Sequence, residues 1–272
     1  MSTSPLVSVL MTAFNREKYI ADAIESVLAS SYENFELIIV DDASSDNTVA
    51  IASQFAEKDK RIRIYVNEKN VGDYPNRNKA AGYAQGKYIN YVDADDKLYY
   101  YGLEVMVRFT ELFPEAGFGL GAYPDDDRAF PVLLKPREIY LESFCKRNHF
   151  SRAPGSGLIK REVFNALGGF SGKRIIGDYE FWFKIARYHS MVKLPLDLYW
   201  NRIHEEQESQ TAHHRKNATR LQNQVLKTNL NHPDCPLDQK ELAFVKKKIM
   251  LDKLKNRVIN IISGLGKLFT AV

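Results

Sequence analysis

Over the first hundred residues, short apolar runs alternate with stretches in which apolar residues recur every three or four positions. Leu6-Val7-Ser8-Val9-Leu10-Met11 has the length and make-up of a buried strand. Tyr19, Ile20, Ala23, Ile24, Val27 and Leu28 then fall along one face of a helix. Phe35–Val40 is a second strand, stopped by Asp41-Asp42. Ser45-Asp46-Asn47-Thr48 carries the side chains of a helix N-cap, and Val49, Ile51, Ala52 and Phe55 continue it as an apolar face. A third strand is predicted over Ile62–Val66, a helix over Asn76–Ala84 and a fourth strand over Tyr88–Val92. Strands alternating with helices predict an α/β fold, a Rossmann-like mostly parallel sheet with helices on both faces.

Beyond Gly117 the rhythm loosens, with Pro124, Pro131 and Pro136 punctuating loops and short strands. Glu162–Leu167 and Asp178–Tyr188 read as helices around Gly168-Gly169-Phe170-Ser171-Gly172. After residue 212 the composition turns polar and basic, and Leu251, Leu254, Val258, Ile261, Leu265 and Leu268 recur at helical spacing. Gly264 and Gly266 each cost a helix interior about 1 kcal/mol relative to Ala, which predicts a kink or stop there. The chain thus divides into a main domain, 1–212, and a basic helical C-terminal extension, 213–272.

Charge sharpens that division. The extension holds twelve Lys and Arg against four Asp and Glu, whereas 1–212 holds 26 against 30. A mildly acidic body with a basic tail favours a polyanionic partner. Between Arg215 and Lys267 the only aromatic residue is Phe244, too few for base stacking, so nucleic acid is not expected. An apolar stripe among lysines fits either packing on protein, including a second copy of the chain, or peripheral membrane contact through 245–272. The N-terminus lacks a signal-peptide pattern, no run of 18 apolar residues occurs, and the two cysteines are too few for a disulfide framework, so a cytoplasmic protein is expected.

Ligands of open α/β sheets bind outside the carboxyl ends of the strands, and two of those ends are acidic. Asp93-Ala94-Asp95-Asp96 places three carboxylates within four residues; it is either a solvated turn or a site for a hard divalent cation. Asp41-Asp42 is either a strand stop or a hydrogen-bond acceptor for a nucleoside. Gly117-x-Gly119-x-Gly121 lacks the full dinucleotide fingerprint. Asp125-Asp126-Asp127 reads as a solvated loop, and His149, His213 and His214 lack a zinc ligand set.

Three segments in order, Val7–Asn15, Phe35–Thr48 and Tyr91–Asp96, resemble glycosyltransferase family 2, whose members have the GT-A fold and invert the anomeric centre. The resemblance covers about residues 5–210 and implies a nucleotide-binding half, 5–100, and an acceptor and base half, 100–212. It implies that Thr12, Asp41 and Asp42 contact the nucleoside, and that Arg77 approaches a phosphate or the donor sugar; a surface arginine is the other reading of Arg77. Asp93 and Asp95 match the DxD motif that holds Mn²⁺ or Mg²⁺ and the donor's ribose–diphosphate. His204, in Tyr199-Trp200-Asn201-Arg202-Ile203-His204, matches a position that can approach the diphosphate or the metal; a solvated loop histidine is the other reading. Asp178 matches the catalytic base, although many members have Glu-Asp where this chain has Gly177-Asp178.

The expectation is therefore a metal-dependent inverting hexosyl- or N-acetylhexosaminyltransferase. It takes a nucleotide-sugar, UDP-linked by resemblance, and a glycan or lipid-linked glycan acceptor, as in bacterial-type surface polysaccharide synthesis, at the inner face of the membrane. The competing readings are a metal-dependent phosphatase or nucleotidyltransferase built on Asp93 and Asp95, and a non-catalytic module for nucleotides or anionic surfaces.

Overall fold

The computed structural model describes residues 4–125, 127–196, 198–205, 207 and 212–269, with side chains described except at 212–215 and 256–269. Elements follow in the order β1 (Val7–Ala13), α1 (Ile20–Leu28), β2 (Phe35–Asp41), α2 (Thr48–Ala56), β3 (Ile62–Val66), α3 (Asp73–Tyr83) and β4 (Tyr88–Tyr91). Then come β5 (Lys97–Leu98), α4 (Gly102–Glu111), β6 (Ala116–Gly121), β7 (Val132–Leu134), α5 (Pro136–Cys145), β8 (Gly157–Lys160) and α6 (Arg161–Ala166). The chain continues through α7 (Gly177–Tyr188), β9 (Ser190–Leu194), β10 (Tyr199–Trp200), α8 (Ala212–Leu230) and α9 (Gln239–Phe269).

Eight strands form one sheet in the order β3-β2-β1-β4-β8-β6-β9-β7. β1, β2, β3 and β4 are parallel to one another, β8 runs against β4 and β6, and β6 and β9 are parallel. The carboxyl ends of β1, β2, β4, β6 and β9 consequently meet at one edge. Burial on both faces explains why the strands read as continuous apolar runs. Val9, Met11, Leu37 and Ile39 pack with α1, α2 and α4, whereas Leu10, Ile38, Val40 and Tyr91 pack with α3, α5 and α7.

The four early strands lie where the pattern puts them. The third helix begins earlier than expected, at Asp73, because Gly72, with φ 92°, turns the chain into it. Gly117 and Gly119 are strand residues of β6 rather than a phosphate loop: a Cβ on Gly117 would lie 2.6 Å from His189 Cβ. The extension is two helices, and α9 runs without a stop through Gly264 and Gly266 to Phe269. Its packed face is Leu242, Val245 and Ile249 on the main core, while Leu251 and Leu254 of the expected stripe are exposed. The other four residues of that stripe lie outside the described side chains. Among the described residues, no helix is long and apolar enough to cross a membrane.

Asp125 is a second correction. Rather than solvated, its carboxylate is buried against Lys193, 2.6 Å away, and Arg128, 2.9 Å away. Lys193 sits in β9 with a side chain only 2% exposed, and a buried ammonium demands such a partner.

Candidate active site

The acidic strand ends converge on a cleft of about 770 Å³ at the carboxyl edge of the sheet. Thr12, Asp42, Arg77, Asp93, Asp95 and Asp178 all line it. Six residues spread over 166 positions of chain therefore share one cavity only because β1, β2 and β4 run parallel.

The two aspartates after β2 do different things. Asp41 folds its own loop, accepting hydrogen bonds from Ser44 N at 2.8 Å and Ser44 Oγ at 2.5 Å, around Ala43 at φ 64°. Asp42 holds the next loop: its oxygens accept from Asn67 Nδ2 and Val71 N at 2.8 Å and from Gly72 N at 2.9 Å. Asp42 faces the cleft, and Asp41 is not among its lining residues.

The turn after β4 is closed by a hydrogen bond from Asp96 N to Asp93 O at 2.9 Å. It brings carboxylate oxygens of Asp93, Asp95 and Asp96 within 4.8 Å of one another. Each has a separate counter-group. Arg77 is a buried residue rather than a surface one, and it donates to Asp93 Oδ1 at 2.6 Å and Oδ2 at 3.0 Å while pairing with Asp73 at 2.8 Å. Asp95 Oδ2 receives Arg16 Nε at 2.9 Å and faces His204 Nε2 at 3.0 Å. Asp96 accepts from Asn201 Nδ2 and Arg202 N at 3.0–3.2 Å. Burial first, and then the charges of Asp93 and Asp95, push the Asp96 pKa up to about 7. Three carboxylates so close, with Asp93 still partly open to the cleft, make a donor set of hard oxygens that suits Mg²⁺ or Mn²⁺.

His204 lies against the Tyr19 ring, centroids 4.6 Å apart, and its Nδ1 is buried without a hydrogen-bond partner. It approaches the acidic turn only through Asp95, outside the three converging carboxylates. Asp178 lines the same cleft from the first turn of α7 and accepts a hydrogen bond from Tyr179 N at 2.7 Å. Burial pushes its pKa up to about 6, against the pull of that amide, of the Tyr74 hydroxyl and of the Arg77 charge. A carboxylate poised there can take a proton near neutrality.

Sequence reasoning missed Arg16, Tyr74 and Arg202. Arg16 could have been found from its place in the loop after β1, four residues beyond Thr12. Tyr74 and Arg202 carry no local signal, since their partners Asp178 and Asp96 lie more than a hundred residues away.

A mostly parallel sheet with acidic strand ends around one cleft is the architecture of the GT-A glycosyltransferases. Residues 8–168 match the family described as Glycosyl transferase family 2, and the chain belongs to that family. An uncharacterized glycosyltransferase of Haemophilus influenzae is 29% identical over 80% of this chain and 72% of its own. Glycosyltransferase GlyG of Streptococcus pneumoniae is 28% identical over 63% of this chain and 62% of its own. The crystal structure of S. aureus TarS 1-349 with UDP-GlcNAc superimposes with a TM-score of 0.66 at 19% identity, over 88% of this chain and 70% of that one. Mannosyltransferase PcManGT from Pyrobaculum calidifontis, in complex with GDP-Man and Mn²⁺, gives 0.63 at 17% identity, over 90% and 74%. These likenesses show the fold, and family membership selects the transferase among the classes that acidic strand ends allow.

Proposed function

We propose that the chain is an inverting, metal-dependent hexosyl- or N-acetylhexosaminyltransferase that uses a UDP-sugar. The observation that carries this reading is one cleft lined by both the acidic turn, Asp93 and Asp95, and the poised carboxylate of Asp178. TarS binds UDP-GlcNAc, which supports UDP as the nucleotide. Thr12 and Asp42 contact the nucleoside; Asp41 supports that contact by shaping the loop through Ser44. Asp93 and Asp95 would hold the cation, with His204 assigned to the same centre through its Nε2 beside Asp95. Bound there, Mn²⁺ or Mg²⁺ supplies positive charge to the departing diphosphate. Arg77 fixes the Asp93 carboxylate from behind and adds its charge to the phosphate side of the cleft.

Asp178 accepts the proton of the acceptor hydroxyl as that oxygen bonds to the anomeric carbon. The bond from that carbon to the diphosphate breaks on the opposite face, its electron pair leaves with UDP, and the centre inverts. A single base suffices for a single displacement. The acceptor is proposed to be a glycan or lipid-linked glycan of surface polysaccharide synthesis, met at the cytoplasmic face of a membrane that α9 touches. Exposed Phe244, Met250, Leu251 and Leu254 beside lysines support that contact.

A screen of nucleotide-sugars for metal-dependent hydrolysis tests the reading. Slow release of UDP from one UDP-sugar, abolished by chelator, is expected. Hydrolysis of phosphate monoesters instead, with all nucleotide-sugars untouched, would overturn it.

A further inference from the structure

A carboxylate serves as a base only when one of its oxygens is aimed at the hydroxyl it deprotonates. Asp178 has one anchor inside its own helix, the Tyr179 N–H at 2.7 Å. The second anchor comes from another element. Tyr74, in the first turn of α3, donates its hydroxyl to the Asp178 carboxylate and accepts the Asp178 backbone N–H on the same oxygen. That amide belongs to the first turn of α7, where N–H groups lack partners within the helix. One hydroxyl therefore satisfies the amide and fixes the side chain of the same residue, and both Tyr74 and Asp178 line the cleft.

The tyrosine is itself held in place. Its ring lies 5.2 Å from the Phe170 ring and 5.9 Å from the Arg77 guanidinium, centre to centre. Asn78 pins Phe170 to α3, donating to its carbonyl at 2.8 Å and accepting its amide at 2.9 Å. On the α7 side the ring rests on bare backbone: a Cβ on Gly177 would stand 2.7 Å from Tyr74 Cδ1 and Cδ2. Glycine at 177 is what admits the tyrosine beside the base. Burial first, and then the charges of Asp178 and Asp73, hold the Tyr74 hydroxyl protonated well above its ordinary range. It is a donor at every working pH. Arg77, nearly one turn further along the same face of α3, grips Asp93 with both of its terminal nitrogens.

We propose that Tyr74 is a positioning residue for Asp178: its hydroxyl aims the carboxylate at the acceptor hydroxyl, and α3 sets the separation of base and acidic turn through Tyr74 and Arg77. The proton of the acceptor goes to Asp178, and the tyrosine neither gives nor keeps one. The inference rests on the transferase reading for the role of Asp178 as base. The link between hydroxyl and carboxylate is measurable without that reading.

Tyr74→Phe in the full chain removes the hydroxyl and keeps the ring. Carbon-13 NMR on selectively labelled aspartate follows the Asp178 carboxyl, its signal assigned by its loss in Asp178→Asn. The groups that face this carboxylate are Asp73, Tyr74 and Arg77 of α3 and Tyr199 of β10, and only Tyr74 is altered. Loss of a donor that favours the charged form raises a carboxyl pKa, so the midpoint should move up from about 6. Turnover of the preferred nucleotide-sugar should fall by about tenfold to a hundredfold. The acid limb of its pH profile should move up with the NMR midpoint. UDP affinity, measured on the same samples, should be unchanged and reports an intact donor site. An Asp178 midpoint that stays in place, or a loss of turnover with an unmoved acid limb, would overturn the positioning role, because a tyrosine that only packs shifts neither. A wild type that consumes no nucleotide-sugar, while its Asp178 midpoint still moves in Tyr74→Phe, would instead overturn the transferase reading and leave the link between Tyr74 and Asp178 standing.

Discussion

The ring of Tyr74 closes directly on the backbone of Gly177: a Cβ built on that glycine would lie 2.6 Å from Tyr74 Cγ. This contact accounts for the chain's departure from the Glu-Asp pattern, because no side chain fits at 177 while Tyr74 keeps its place. The same tyrosine presents its hydroxyl to Asp178. Helix α3 thus links the two parts of the site, reaching Asp178 through Tyr74 and Asp93 through Arg77.

Gly177→Ala is therefore expected to destabilise the protein by about 1–3 kcal/mol, the usual cost of overpacking. Combined with Tyr74→Ala, which removes the Cγ and Cδ atoms that the new Cβ would meet, the loss should be less than the sum of the two single losses, by more than about 0.5 kcal/mol. A double-mutant cycle in urea measures this, and strict additivity would separate the two residues.

Asp178→Asn keeps the shape of the base but cannot accept a proton. Transfer should fall by roughly 10²–10⁴-fold with UDP affinity nearly unchanged, and near-normal transfer would remove the assignment. In the wild type, kcat/KM should drop as pH falls through about 6, where the carboxylate protonates. Stability moves the other way. The folded pKa lies above the ordinary aspartate value of 3.8, so the stability linked to this group is full below that value and is lost as pH rises through about 6. The Asn variant should be the more stable protein at pH 7, by about 1–2 kcal/mol once partial exposure is discounted; thermal melts across that range check the sign.

Asp95 stands between Arg16 and His204 at 2.9 and 3.0 Å. UDP should bind more tightly with Mn²⁺ or Mg²⁺ than with chelator, and Asp95→Asn should abolish most of the difference while preserving the fold. Titration calorimetry that finds identical UDP affinities for the wild type in metal and in chelator would contradict the cation site.

The membrane reading of α9 is tested by substitution rather than truncation. Val245 is fully buried and Ile249 packs on the core, so a chain ending near Phe244 would lose part of its own interior. Changing the exposed Phe244, Met250, Leu251 and Leu254 to Ser keeps that packed face. The unaltered protein should co-sediment with anionic vesicles, less so in high salt, and the quadruple variant should bind less. Equal binding by both, or none by either, would return the exposed stripe to packing on protein, which sedimentation of a dimer would then support.

By itself, the sequence determined the alternation of strands and helices, the acidic strand ends and the basic extension. These are local properties: an apolar run such as Phe35–Val40 reports its own burial, and Asp93, Asp95 and Asp96 lie within four consecutive residues. Thr12, Asp42, Asp93, Asp95 and Asp178 were legible as candidates because the family motifs mark them, and they line one cleft. Tertiary structure decided what each of them touches. The face of α9 that packs, Leu242, Val245 and Ile249, depends on where α5 lies, which periodicity cannot report. Asp125 looked solvated because its counter-charge, Lys193, is 68 residues away in sequence and 2.6 Å away in space. Arg77 looked like a surface arginine for the same reason, since a helix position is buried or exposed by what packs on it. Charge pairs across the sheet edge are set by the order in which strands assemble, and that order is a property of the whole chain.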